Sequence, residues 1–109
     1  MDNQNRIGKH ATTVTDREDV VTVKYHKTVV FTWNKIHDRV RLNSGGWKTV
    51  STKTRMNQAA NQFGLPFRVY QSKGDWFVGF NLAAEHVRKA LPFEDGMMFN
   101  PFWSPDNAE

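Results

Sequence analysis

The sequence predicts an α+β fold: a single antiparallel sheet of about five strands covered by one main helix. Three observations carry that expectation. Residues 20–43 are rich in β-branched and aromatic side chains and alternate apolar with polar positions. Met56, Ala59, Ala60 and Phe63 follow one another at helical spacing. Phe67–Gln71 and Trp76–Phe80 then return to strand composition around Ser72-Lys73-Gly74-Asp75, a short hairpin loop. The resulting order, β-β-β-α-β-β, lays one amphipathic helix on the apolar face of one sheet.

Along the chain, residues 1–19 are polar, mixed in charge and without apolar periodicity, and are expected to form a flexible arm ahead of a domain spanning residues 20–99. In Val20–Tyr25, alternation puts Val21, Val23 and Tyr25 on one face and Val20, Thr22 and Lys24 on the other. Lys27–Trp33 continues as a second strand, Asn34–His37 turns, and Asp38–Asn43 alternates again. In that third strand Val40 and Leu42 point inward while Arg39, Arg41 and Asn43 point outward. Gly45-Gly46 interrupts the pattern, and Trp47–Val50 forms an extended lead-in. Ser51 or Thr52 caps the helix, Gly64 ends it, and Pro66 prevents its resumption. With the apolar stripe on the sheet, Lys53, Asn57, Asn61 and Gln62 face solvent.

The later elements are less regular. Asn81–Ala90 admits a short second helix capped by Asn81, although its apolar stripe is weak. Met97-Met98-Phe99 reads as a short edge strand after the turn Glu94-Asp95-Gly96. Residues 100–109 read as an irregular acidic and aromatic tail containing two prolines.

Composition bounds the function classes. The chain has 109 residues, enough for one domain, and only 39% of them are hydrophobic, so its four Trp and eight Phe must supply much of the buried area. With no cysteine, disulfides, thiol catalysis and Cys-based zinc sites are excluded. No secretory leader or membrane span is apparent, which predicts a soluble intracellular protein. The net charge of +4 is distributed unevenly. Residues 20–73 hold ten Lys and Arg against a single acid, Asp38, for +9, whereas the flanks together carry −5. Such a basic middle serves either as a solvated surface or as a face for an anionic partner.

The densest chemistry lies in Ser44–Arg55. A helix start carries unpaired N–H groups and partial positive charge, so acidic residues are favoured there. This one instead has Lys48, Lys53 and Arg55. Two readings follow. The segment is a Gly-rich turn with a hydroxyl cap and incidental cations. Alternatively, Gly45, Gly46, Lys48, Ser51, Thr52, Lys53 and Arg55 converge on an anion such as a nucleic-acid phosphate, with Arg39 and Arg41 extending the basic face. Interleaved rings could stack on bases, although most are needed for the core; Trp47, on the Gly-containing loop, is the one most readily placed outside it.

Signals for catalysis are missing. The phosphate-loop and dinucleotide spacings are absent, so neither ATP nor NAD is expected. The four histidines are not spaced as a helical metal pair, and there is no Gly-x-Ser-x-Gly elbow. The protein is expected to be no enzyme and to hold no cofactor or metal. The segment containing Phe99, Phe102 and Trp103 either closes over the sheet or serves as a partner-docking surface.

The run from Leu42 through Gly45-Gly46-Trp47-Lys48 to Gln58 resembles a segment that recurs in small, functionally uncharacterised bacteriophage-encoded proteins. So do Phe67–Gln71, Asp75–Phe77, Leu91-Pro92-Phe93 and Asp95-Gly96-Met97. The likeness spans about residues 21–98, with Asn81–Ala90 resembling an insertion. It implies a phage accessory protein acting in the host cell cytoplasm. Three roles fit: nucleic-acid binding, inhibition or adaptation of a host or defence protein, and a minor part in the virion. A homodimer would suit Thr28–Trp33 if that strand were buried on both faces.

Overall fold

A computed structural model describes residues 7–82 and 87–102. Eight strands and one helix follow in the order β1 (Thr12–Asp16), β2 (Val20–Tyr25), β3 (Thr28–Asn34), β4 (Arg39–Leu42), α1 (Val50–Gln62), β5 (Phe67–Ser72), β6 (Asp75–Leu82), β7 (Val87–Pro92) and β8 (Met97–Phe99). The α+β class is as expected, but the strands form two antiparallel sheets rather than one. The first has the order β1-β2-β3-β4-β8, and the second has the order β5-β6-β7.

What occupies the edges of β4 and β5 explains the division. The outer edge of β4 is taken by β8, with Val40 opposite Phe99 and Leu42 opposite Met97. The outer edge of β5 is filled by the helix, through Asn57. The Asn57 side chain donates to the Val69 carbonyl at 2.9 Å and accepts from the Val69 amide at 2.7 Å. One carboxamide thereby satisfies a residue of the β5 edge as a neighbouring strand would. Asn57 is buried, not solvent-facing as its place outside the apolar stripe suggests.

The core lies between the sheets and under α1. Val21, Val23, Phe31, Val40 and Leu42 from the first sheet meet Met56, Ala59 and Ala60 of the helix and Phe67, Val69, Val78 and Phe80 of the second sheet. Phe99 packs edge-on against both Phe67 and Phe80, with centroid separations of 5.1 Å. A bulge at Val23/Lys24 shifts the β2–β3 register, and both Val30 and Phe31 are buried. The expected inward faces of β2 and β4 are observed.

Other expectations are corrected. The segment 7–19 contributes β1 as an edge strand, and Ile7 is buried, its amide donating to Gln62 Oε1 at 3.0 Å. The Thr-Thr-Val-Thr run of β1 is β-branched without being hydrophobic, so an apolar count passes over it. Asn81 and Leu82 belong to β6, and residues 87–90 to β7, so neither end of Asn81–Ala90 is helical; residues 83–86 lie outside the described residues. The helix is capped by Thr49, two residues before Ser51, and Thr49 Oγ1 accepts from the Thr52 amide at 3.2 Å. At its other end Leu65 N–H donates to Ala60 O and Gly64 N–H to Asn61 O, closing the helix with Gly64 at φ +69° as its composition predicts. Lys73-Gly74 form the two-residue β5–β6 turn, both at positive φ.

Candidate functional site

Two surfaces gather some of the residues singled out above, Arg39 and Arg41 on one and Trp47 and Ser51 on the other, and they lie on opposite sides of the first sheet. Pairing across that sheet builds the first surface. On the face away from the core, Thr15, Thr22, Thr32, Arg41 and Met98 stand in one cross-strand row. Val20, Asn34 and Arg39 form a second row, and Thr13, Lys24 and Val29 a third. None of these strand positions is acidic. Lys24, Arg39 and Arg41 are exposed. Among the described residues, Arg39 donates to the backbone carbonyls of His37 at 3.1 Å and Asp38 at 3.4 Å. Among the described residues the one ion pair is Lys35–Asp16, which involves none of these three cations. Within the chain, burial on one face only leaves this side of the sheet open.

The second surface is a cleft of about 440 Å³ at the start of α1, lined by Tyr25, His26, Thr28, Val30, Ser44, Trp47, Thr49, Ser51 and Thr52. Its loop is fixed by hydrogen bonds. The Ser44 amide and hydroxyl both donate to Asp95 Oδ1 at 2.7 Å, and Gly46 N–H donates to Ser44 Oγ at 3.1 Å. Gly45 N–H donates to Asn43 Oδ1 at 2.8 Å, and Trp47 N–H to Ser44 O at 3.0 Å. Gly45 and Gly46 have φ of +66° and +87°, the left-handed region that favours glycine. This scaffold holds Trp47 with 71% of its surface exposed.

The three cations near the helix start do not converge. Lys48 Nζ lies 5.6 Å from the Phe93 ring centroid and Lys53 Nζ 5.7 Å from that of Trp76, and these two rings pack edge-on. Arg55 turns to the N-terminal segment instead. It donates to Thr12 Oγ1 at 2.9 Å and lies 5.0 Å from the Tyr25 ring centroid. Ser51 is exposed at the cleft, whereas Thr52 is buried beneath it by the Thr49 cap. In the tail, Phe99 is a core residue and is unavailable for docking. Phe102 is about half exposed, and Trp103 lies outside the described residues.

Lys24 and the hairpin wall of the cleft (Tyr25, His26 and Thr28) complete these surfaces but are not singled out by composition. The alternation of β2 does place Lys24 on the face shared by Arg39 and Arg41. Cross-strand register, which no local pattern provides, brings them together. Among the described residues no group of three or more His, Asp or Glu could hold a metal ion.

The model of the Kyanoviridae Gp96 protein family matches residues 1–100. The chain belongs to this family. It is therefore a small phage protein, as expected. No curated protein and no solved structure matches it. The match to the Kyanoviridae Gp96 family takes in both surfaces and all nine elements described above. No helix among the described residues is long and apolar enough to cross a membrane.

Proposed function

We propose that this Kyanoviridae Gp96 family member is a non-catalytic accessory protein that binds nucleic acid by its phosphate backbone. The observation that carries the reading is the open face of the first sheet. There Lys24, Arg39 and Arg41 stand exposed, with no acidic residue at any strand position of that face. Hydroxyls of Thr13, Thr15, Thr22 and Thr32 lie among them and can donate to phosphate oxygens. Each cation that meets a phosphate releases condensed counterions, which makes such binding steeply salt-dependent.

The test is binding of a labelled oligonucleotide, followed by anisotropy across a salt series. Wild-type protein is expected to bind at low salt and to weaken as salt rises. Arg39→Ala with Arg41→Ala should flatten the slope of log affinity against log salt by roughly 1 for each phosphate no longer neutralised. Both side chains are exposed, so the fold should survive. Absence of binding at low salt, or an unchanged slope in the double variant, sinks the reading.

A second reading, docking on a host or defence protein, is favoured by Met98 and Phe102, which are exposed apolar side chains near the β8 edge. Capture of one host protein that persists after nuclease treatment, and is lost in Met98→Ser with Phe102→Ser, would support it.

A further inference from the structure

Resting on the nucleic-acid reading, we propose that the cleft at the foot of the β2–β3 hairpin receives one unpaired base, with Trp47 as its stacking platform. The ligand class is therefore single-stranded nucleic acid.

The argument begins with Trp47. A tryptophan can bury roughly 150–250 Å² of surface, and this protein does bury Trp76. Trp47 is instead kept outside by a loop with little freedom to fold it away. Ser44 is anchored twice to Asp95, and the Trp47 amide is tied back to Ser44 O. Gly45 presses so closely on the opposite wall that a Cβ there would collide with the Thr28 side chain. The loop thus carries the ring at the mouth of a cavity whose volume falls within the roughly 300–1,000 Å³ usual for small-ligand sites.

The lining indicates what enters. Tyr25, Val30 and Trp47 supply apolar and aromatic surface, and Thr28 and Ser51 supply hydroxyls. A hydroxyl both donates and accepts, so it can satisfy the edge of any base. Among the described residues no carboxylate or ammonium lines the cavity, and His26 adds an imidazole that can stack or hydrogen-bond, which suits a neutral planar group. Cations neighbour the lining residues along the chain: Lys27 follows His26 in the hairpin turn, and Lys48, whose Nζ rests over Phe93, follows Trp47; both are exposed. That layout matches a neutral base carried on an anionic backbone. A base inside a duplex is stacked and paired, and cannot lie in the cleft without leaving its helix.

The experiment measures affinity for oligothymidylate and for its duplex with oligoadenylate at one low salt concentration, with Trp47 emission as a second readout. The expected result is preference for the single strand, with quenching that is absent in Trp47→Phe. Trp47→Ala should lose roughly 5- to 150-fold on the single strand, the range of one base–aromatic stack. It should change little on the duplex and leave the salt slope intact. Trp47→Phe, which keeps a ring, should retain most of the affinity. Ser51→Leu, which narrows the cleft, should reproduce the alanine loss.

Equal affinity for the two forms, or unaltered single-strand binding in Trp47→Ala, overturns the base site while leaving the sheet face in place. Capture of an aromatic peptide in preference to oligothymidylate overturns it as well. Failure of both nucleic acids to bind overturns the functional reading, and this inference with it.

Discussion

At the scale of single residues, Asn57 and Gly45 do work that their side chains do not advertise. Asn57 lies off the apolar stripe, yet its carboxamide meets both backbone groups of Val69, which is itself buried. Asn57→Ala leaves a buried donor and a buried acceptor without partners and is expected to cost about 2–4 kcal/mol. A fall in the urea midpoint with an unchanged slope would register it. Asn57→Asp keeps the bond from the Val69 amide but sets oxygen against oxygen at the carbonyl, so it should be no better tolerated. The two glycines of the loop should part company. Both have positive φ, but a Cβ on Gly45 meets Thr28 whereas one on Gly46 meets nothing within 4 Å. Gly46→Ala should therefore cost only the left-handed conformation, about 1–2 kcal/mol, and Gly45→Ala distinctly more, measured by the same denaturation. Neither distinction is legible in the sequence, because each depends on a neighbour brought close by tertiary structure.

At the scale of elements, the helix shows most clearly what sequence could and could not supply. Its apolar stripe and its Gly64 stop were legible because both are local: one is a spacing, the other a backbone conformation. Its start was misplaced by two residues, since Thr49, Ser51 and Thr52 all offer capping hydroxyls and only the geometry selects Thr49. Thr49→Ala should lower stability by about 1 kcal/mol. The first turn contains no acidic residue. Val50 is exposed there, so Val50→Glu should raise thermal stability by about 0.3–1 kcal/mol through the helix dipole. The same change places negative charge beside the cleft. It is expected to weaken oligonucleotide binding while the melting temperature rises, which separates fold from function in one variant. Strand β1 was hidden for a different reason: an edge strand rich in threonine needs little apolar surface, and its place is fixed by pairing with β2.

At the scale of the whole molecule, the sheet count was the feature least available to sequence reasoning. Strand composition identifies strands, but which edge each one joins depends on β8 returning to β4 and on Asn57 closing β5. The basic face was half legible: alternation set Arg39 and Arg41 outward, and register then added Lys24 and the threonine rows. The two sheets share one core through Phe67, Phe80 and Phe99. Phe99→Ala should accordingly lower the single unfolding transition by about 3–5 kcal/mol rather than release the second sheet alone, as a calorimetric trace would reveal. The β4–β8 pairing also governs when the chain can fold. Ser44 and its anchor Asp95 are 51 residues apart, and everything from α1 to β7 is synthesised between them. On the ribosome β4 therefore presents a bare edge until most of the chain has emerged, and such edges recruit other strands. A chain stopped before Met97 should accumulate as aggregate, which makes completion of translation a condition for a soluble product.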